Sequence, residues 1–345
     1  CIRDRRWANR RKVPVTPRVT GLNIGGLAIP ADGGVVVDLA QLTAVDLDHE
    51  HMVAWIEPGV TWEQLKQVAG RYELVLGFPL APPDTSVLAC ALMDGLSTMA
   101  LAHGSYGDWV TGVEAYLADG TRVVTGSAAV SGRPLSRGPL PDLTGLFLGW
   151  FGTTGIVTRL GLHLWPKRAF RRREVVACPS AESAVVTMRK GARTGLFDDL
   201  GTLGWPAAKW AFGLGRLGPR DPAEPECYLV ADYCSDDADD LERRAGILAS
   251  IAPTRPIPVD DLIALAPDLA PIAELPTRLD FFLDHEGGGL SWIGTYGPLD
   301  RLAEGARLGI RICEQHGHPP LLVSRPMKGG HFAVLRFIER FDRTN

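Results

Sequence analysis

The chain has 345 residues, 46% of them hydrophobic, and a formal net charge of -4. That length exceeds what one hydrophobic core usually serves, so two domains are expected. The mild acidity leaves no electrostatic case for nucleic acid as a partner.

Arg3, Arg5, Arg6, Arg10, Arg11 and Lys12 cluster at the start and read as the solvated face of a helix. Val13–Thr16, Val35–Leu39 and Met52–Glu57 follow as strand-like runs bounded by Gly, Pro and Asp. Thr61 and Gln64 have the spacing of a capping box, which predicts a helix from Trp62 to Gly70. Asp119 and Gly120 between two apolar runs predict a hairpin, and residues 156–165 alternate like a half-buried strand that Pro166 stops. Residues 13–165 therefore read as a mixed layer of strands and helices. The charged run 167–173 reads as the crossing into a second domain, with helices at Ala181–Arg193 and Ala238–Ile251 and strands at Cys227–Asp232 and His331–Phe337.

The six cysteines lack C-x-x-C spacing and read as reduced core thiols. His316 and His318 are poorly spaced for a shared metal, and the acidic residues 236–240 read as a helix start, so no metal is expected. No apolar run is long enough to span a bilayer and no signal peptide opens the chain, which makes the cytoplasm the expected location. Both ends read as cut: residue 1 is not Met and the last residues follow a strand-like run, so each domain is expected to lack a part.

Four segments carry chemistry. Residues 15–30 form a glycine-rich turn before the strand at 35–39, and Gly21, Gly25 and Gly26 would let backbone amides approach a bulky anion. Residues 82–109 are rich in small and hydroxyl side chains, and residues 152–158 place a Gly-Thr-Thr-Gly turn before a β-branched strand. Each alone reads equally as an ordinary turn. In residues 321–332, His331 titrates in the range of a general base and Arg325 offers a planar fork for a carboxylate or phenolate. The plainer alternative is Arg325 paired with a local carboxylate and His331 as an ordinary strand histidine.

The order of these landmarks resembles the flavoprotein family of vanillyl-alcohol oxidase and p-cresol methylhydroxylase, which also includes glycolate oxidase and D-lactate dehydrogenase subunits. The resemblance rests on the turn at 17–30, DGGVVVDL at 32–39, EPGVTWEQL at 57–65, Tyr106–Asp108, LADG at 117–120, PDLTGLF at 141–147 and residues 152–166. It implies an α+β chain: a two-subdomain FAD-binding PCMH-type fold over residues 1–167 and a C-terminal α+β substrate, or cap, domain over 168–345. The cofactor implied is FAD. Thr20, Gly21, Asn23, Ile24, Gly25 and Gly26 would hold its pyrophosphate. Pro82, Thr85, Ser86, Gly95, Ser105, Tyr106, Gly107 and Asp108 would line the far wall, and Gly155, Ile156 and Val157 would meet the adenosine side. His103 would be a point of covalent attachment in some relatives, although a loop histidine without chemistry is the plainer reading.

The activity implied is FAD-dependent oxidation of a hydroxylated small molecule, a 2-hydroxy acid or a para-substituted phenol, with Arg325 and His331 as catalytic residues. The electron acceptor is unknown and a homodimer is left open. Two alternatives stand beside it: a flavin-binding fragment without turnover, motivated by Ala89 and Cys90 where the family often has a Gly or Asn pair, and a carbohydrate- or phosphate-binding protein without flavin.

Overall fold

In the computed structural model, residues 2–23, 25–79, 81–212, 220–270 and 288–342 are described. The chain divides into two units, Cys1–Ser97 with Ser105–Lys167, and Thr98–Gly104 with Arg168–Asn345. In chain order the first stretch runs α1 (Ile2–Arg11), β1 (Val15–Arg18), β2 (Val35–Asp38), β3 (Val45–Asp48), β4 (Val53–Ile56), α2 (Trp62–Gly70), β5 (Leu74–Val75), α3 (Val87–Leu92), α4 (Ala100–His103), α5 (Tyr106–Trp109), β6 (Val110–Tyr116), β7 (Arg122–Val124), α6 (Ala128–Ser131), β8 (Ile156–His163) and β9 (Trp165–Pro166). Of these, α4 belongs to the second unit.

Five strands of the first unit form one antiparallel sheet in the order β3-β4-β8-β6-β7. All four residues of β4 are buried, which is why this strand lacks apolar–polar alternation. The β6–β7 hairpin closes at Asp119 and Gly120, where Gly120 takes φ +82°, a conformation that side chains with a Cβ avoid. Helix α2 starts as its spacing predicts. Thr61 Oγ1 accepts from the Gln64 amide at 3.3 Å, and the Gln64 side chain accepts from the Thr61 amide at 3.1 Å. Beneath it, Trp62 and Tyr106 meet with ring centroids 4.7 Å apart, and Trp109 meets Tyr106 edge-on at 4.9 Å. Such pairs contribute about 1 kcal/mol each beyond the area they bury. Strands β1 and β2 form a separate parallel pair, joined by the glycine-rich turn.

The second unit continues with β10 (Phe170–Cys178), α7 (Ala181–Thr194), β11 (Asp199–Gly204), α8 (Trp205–Phe212), β12 (Cys227–Ser235), α9 (Ala238–Ile251), β13 (Ile257–Pro258), α10 (Val259–Leu265), β14 (Gly288–Gly297), α11 (Leu302–Gln315), β15 (Leu321–Met327) and β16 (Phe332–Asp342). Its seven strands form an antiparallel sheet in the order β13-β10-β12-β11-β15-β16-β14. Alternation along the strands sends Val176, Leu229, Leu200, Leu322 and Leu335 to one face, where they bury against apolar residues of α7, α9 and α11. At one end of the opposite face, Trp210 of α8 packs on Leu321 with Leu203, Leu290 and Ile338 beside it.

Two features differ from the sequence reading. Residues 98–104 pack with the second unit, through α4 against β11 and β15, although they lie within the stretch expected to be the first domain. The charged run at 167–173 is only partly a connection, because its arginines from 171 onward already stand in β10. The acidic residues do start a helix: Asp237 caps α9 by accepting from the amides of Asp239 and Asp240. Among the described residues no cluster suited to a metal ion occurs, and no helix is long and apolar enough to cross a membrane.

Removing the capping hydroxyl tests the local account of α2. Thr61→Ala is expected to lower stability by about 1 kcal/mol, read as a lower urea midpoint with an unchanged slope; an unmoved midpoint would show that the box contributes nothing.

Candidate functional site

The turn between β1 and β2 exposes its backbone. Gly21 and Gly26 take φ of +75° and +70°, and the exposed turn places the amides of Gly21, Leu22 and Gly25 without hydrogen-bond partners among the described residues. Asn23 holds the turn from inside, its Oδ1 accepting from the Leu27 amide at 3.2 Å and its Nδ2 lying 3.6 Å from Met93 Sδ. Thr20 flanks the turn half-buried. Ile24 lies outside the described residues. Amides open to solvent on a glycine-rich turn are what an anionic pyrophosphate requires, so this cradle fits the dinucleotide.

Contacts tie the other segments to this turn. Met93 follows the end of α3, Leu92 of α3 accepts from the Gly149 amide at 2.8 Å, and Gly95 accepts from the Tyr106 amide at 3.1 Å. A Cβ on Gly152 would lie 3.6 Å from Pro17 of β1. Residues 92–95 and 149–152 thus lie beside the glycine-rich turn and β1. At the start of β8, Ile156 and Val157 pair with β6, whereas β4 pairs only with residues 160–163, so among the described residues the backbone of 156–159 has no strand on its other side. Gly155 precedes them where a Cβ would lie 3.1 Å from the Tyr116 carbonyl.

Several expected wall residues use their side chains to build the wall instead of facing a ligand. Tyr106 is wholly buried among Trp62 and Trp109. Ser86 Oγ donates to the Pro58 carbonyl at 2.6 Å and accepts from the Ala89 amide at 3.1 Å, which caps α3. Thr85 Oγ1 donates to the Pro82 carbonyl at 2.7 Å. Asp108 accepts from the Ser105 amide at 3.0 Å, and Gly107 donates to Asp94 Oδ1 at 2.8 Å in a spot where a Cβ would come within 2.9 Å of the Asp94 carboxyl carbon. Their amides are engaged as well: Thr85 donates to the Pro82 carbonyl, Tyr106 to that of Gly95 and Asp108 to that of Ser105. The amides of Ala89 and Cys90, at the positions where this sequence departs from the family pattern, are taken up by Ser86 at the start of α3.

In the second unit, the face of the sheet opposite α7, α9 and α11 carries a row of buried charge. Register places Arg173, Asp232 and Asp199 side by side on β10, β12 and β11. Arg173 binds Asp232 through Nε and Nη2 at 3.0 and 2.9 Å, and Arg171 Nη2 donates to the same carboxylate at 2.9 Å. Arg325 on β15 reaches along β11 over Gly201, which has no side chain, and donates from Nη1 to Asp199 Oδ2 at 3.0 Å. Burial would raise Asp232, but Arg173 and Arg171 win and hold it below its ordinary value. Asp199 has one arginine and a carboxylate neighbour. Burial pushes it up, Arg325 pulls it down, Asp232 pushes it up again, and it settles at about 6.

Arg325 therefore has the local carboxylate that the plainer sequence reading foresaw, and that carboxylate is Asp199. His331 is exposed in the turn of the β15–β16 hairpin, between Lys328 and Phe332, and is not in the buried row. His103, on α4 in the same unit, is partly buried, and burial pushes it down to about 4, so it is neutral near pH 7. Sequence reasoning missed Asp199 and Asp232. Their signal is a carboxylate inside a strand-like apolar run, which a charged residue rarely occupies without a partner.

Two substitutions test these sites. Gly21→Val forces a β-branched side chain to φ +75° and brings its Cβ to 3.1 Å from Arg18 Nε, so FAD retention is expected to weaken about tenfold; unchanged retention in equilibrium dialysis would exclude the turn. Asp199 keeps its proton to about pH 6 when folded but releases it near 3.8 otherwise. The folded chain thus binds more protons between those values, and stability falls as pH rises through that window. The advantage of wild type over Asp199→Asn in urea unfolding should shrink by up to about 3 kcal/mol between pH 4 and pH 7, and parallel pH curves would refute the raised value.

Residues 5–126 match the family model for the FAD binding domain. The chain is 28% identical over 190 residues to a D-lactate dehydrogenase of Archaeoglobus fulgidus, covering 54% of this chain and 41% of that protein. It is 33% identical over 176 residues to a probable mitochondrial D-lactate dehydrogenase of Danio rerio, covering 50% and 35%. The chain thus spans less than half the length of these relatives. Among solved structures, p-cresol methylhydroxylase with substrate bound superposes with a TM-score of 0.79 at 19% identity, covering 98% of this chain and 72% of that one. Over residues 5–126 the chain is thus similar to the FAD binding domain family, and the whole has the fold of p-cresol methylhydroxylase.

Proposed function

We propose that this chain is part of an FAD-linked oxidase or dehydrogenase that takes a hydride from a hydroxylated small molecule, a 2-hydroxy acid or a para-substituted phenol. One observation carries the reading: in a chain with an FAD binding domain, the glycine-rich turn has open amides and residues 92–95 and 149–152 lie beside it. Thr20, Gly21, Asn23, Ile24, Gly25 and Gly26 hold the pyrophosphate, and Gly155, Ile156 and Val157 meet the adenosine through backbone. Pro82, Thr85, Ser86, Gly95, Ser105, Tyr106, Gly107 and Asp108 form the wall, mainly through main-chain atoms. FAD, when bound, accepts the hydride.

Arg325 binds the substrate's anionic oxygen, and Asp199 keeps its guanidinium fixed on the sheet. His331, exposed in the hairpin turn, takes the hydroxyl proton. The D-lactate dehydrogenases favour a hydroxy acid and p-cresol methylhydroxylase a phenol; both need a cation for an anionic oxygen. The same reading counts the chain as kin of vanillyl-alcohol oxidase, divides it into an FAD-binding domain to residue 167 and a substrate domain from 168, and locates it in the cytoplasm, with a homodimer and the electron acceptor left to experiment. A mitochondrial relative makes location the first of these to check. Binding without turnover is the second reading, favoured by the Asp199 carboxylate that already neutralises Arg325.

Reconstitution with FAD and anaerobic mixing with hydroxy acids and alkylphenols separates the two. Bleaching of the flavin absorbance supports the enzyme, and a yellow chain that never bleaches supports the second reading. Arg325→Ala should slow bleaching at least about tenfold and His331→Ala about a hundredfold; bleaching unchanged in both would remove the catalytic assignments.

A further inference from the structure

Strand register in the second unit places two thiols face to face. Cys178 ends β10 and Cys227 opens β12, and each is the other's partner in the antiparallel pair. Residues directly opposite in such a pair have Cα atoms about 4.5 to 5.5 Å apart, inside the range of about 4.4 to 6.8 Å that a disulfide spans. No backbone movement is needed to join them. One thiol already hydrogen-bonds the other. Both are reduced and lie in the apolar cluster on the helix-covered face, at 0% and 6% exposure. The other thiols are placed differently: Cys234 stands opposite Arg171, Cys313 hydrogen-bonds Glu339, and Cys90 is in the first unit.

A buried thiol is ordinarily inert because no reagent reaches it. Here a cavity of about 60 Å³ lies between α7 and α11 above the sheet, and Cys227 forms part of its wall. Ala184 and Met188 line it from α7, Ala303 and Ala306 from α11. Its hydroxyls, those of Thr202 and Ser324, are bonded to each other. Glu226 also lines the cavity and is exposed, so the space meets solvent beside a carboxylate, which accepts from the Ala181 amide at 3.0 Å. One water needs about 10 to 15 Å³ of such space. A molecule of two oxygens fits, and a bulky anion is excluded by size and by Glu226.

We propose that Cys178 and Cys227 are a redox-active dithiol, closed to a disulfide by hydrogen peroxide that enters through this cavity. The Cys227 sulfur attacks one peroxide oxygen, an S–O bond forms as the O–O bond breaks, and the departing oxygen leaves as water with the thiol proton. Cys227 is then a sulfenic acid. Cys178 attacks the sulfenic sulfur, the S–S bond replaces the S–O bond, and the hydroxyl leaves as a second water with the Cys178 proton. Two electrons pass from the sulfurs to the peroxide. The hydrogen bond to Cys178 and burial together raise Cys227, so little thiolate is present and closure takes minutes to hours. The bridge closes a loop around α7, β11 and α8, and so ties the segment that carries Asp199 at both ends.

The FAD-loaded chain tests this directly. After exposure to hydrogen peroxide and blocking of free thiols, mass spectrometry of a digest should find the Cys178 and Cys227 peptides joined in most chains, and a phosphine reductant should part them. Glutathione disulfide, anionic and too large for the cavity, should close the bridge at least about tenfold more slowly. Ala303→Leu, which fills the cavity, should slow closure by peroxide about tenfold. In Cys178→Ser, the Cys227 sulfenic acid has no second thiol to meet and should be captured by dimedone. Circular dichroism checks that the variants fold; if they do not, the wild-type comparison of the two oxidants decides. Cys178 and Cys227 peptides that stay separate after Cys234 has oxidised overturn the dithiol, and equal rates with peroxide and glutathione disulfide overturn the cavity route.

Discussion

Two aspartates of adjacent strands face each other inside the second unit, and that arrangement survives only because arginines flank it. Like charges directly opposite in an antiparallel pair repel, and burial removes the water that would screen them. Arg171 and Arg173 quench Asp232 from one side, and Arg325 quenches Asp199 from the other. The supply is uneven, with two arginines on Asp232 and one on Asp199. Asp199 is therefore the member whose ionisation is easiest to shift, and Arg325 is the cation tied to the pair's more labile carboxylate.

That constraint explains local choices of residue. Gly201 stands where a side chain would lie against the path of Arg325 toward Asp199, and Gly294 stands where one would crowd Arg336. The face opposite is apolar and closed by helices, so the polar chemistry of this unit is confined to one side of one sheet. In the first unit the division of labour is similar. Side chains such as Ser86, Thr85 and Asp108 are spent on fixing loops. The open amides are those of the glycine-rich turn, whose fixed dipoles suit an anionic group at little conformational cost.

Much of the local structure was legible in advance. The capping box at Thr61 and Gln64, the Asp119–Gly120 hairpin and the helices at 181–194 and 238–251 depend on neighbours within a few residues, and the spacing of those neighbours is written in the chain. The landmarks of the FAD binding domain are similarly contiguous. Less was legible of the second unit. Nothing in the residues around Arg325 says that its carboxylate is 126 positions away, and nothing in the apolar run at 199–204 says that Asp199 will face Asp232.

The sequence by itself determined the helix caps, the turns that need positive φ and the identity of the cofactor-binding domain, because each is set by short-range sterics, hydrogen bonds or a contiguous motif. Only the tertiary structure decided that residues 98–104 leave the first unit for the second, that the Tyr106 side chain is buried in the core, and that Arg325 finds its carboxylate in Asp199. Those outcomes follow from strand register and burial, which pair residues far apart in the chain and set the local dielectric, and no window of sequence carries either quantity.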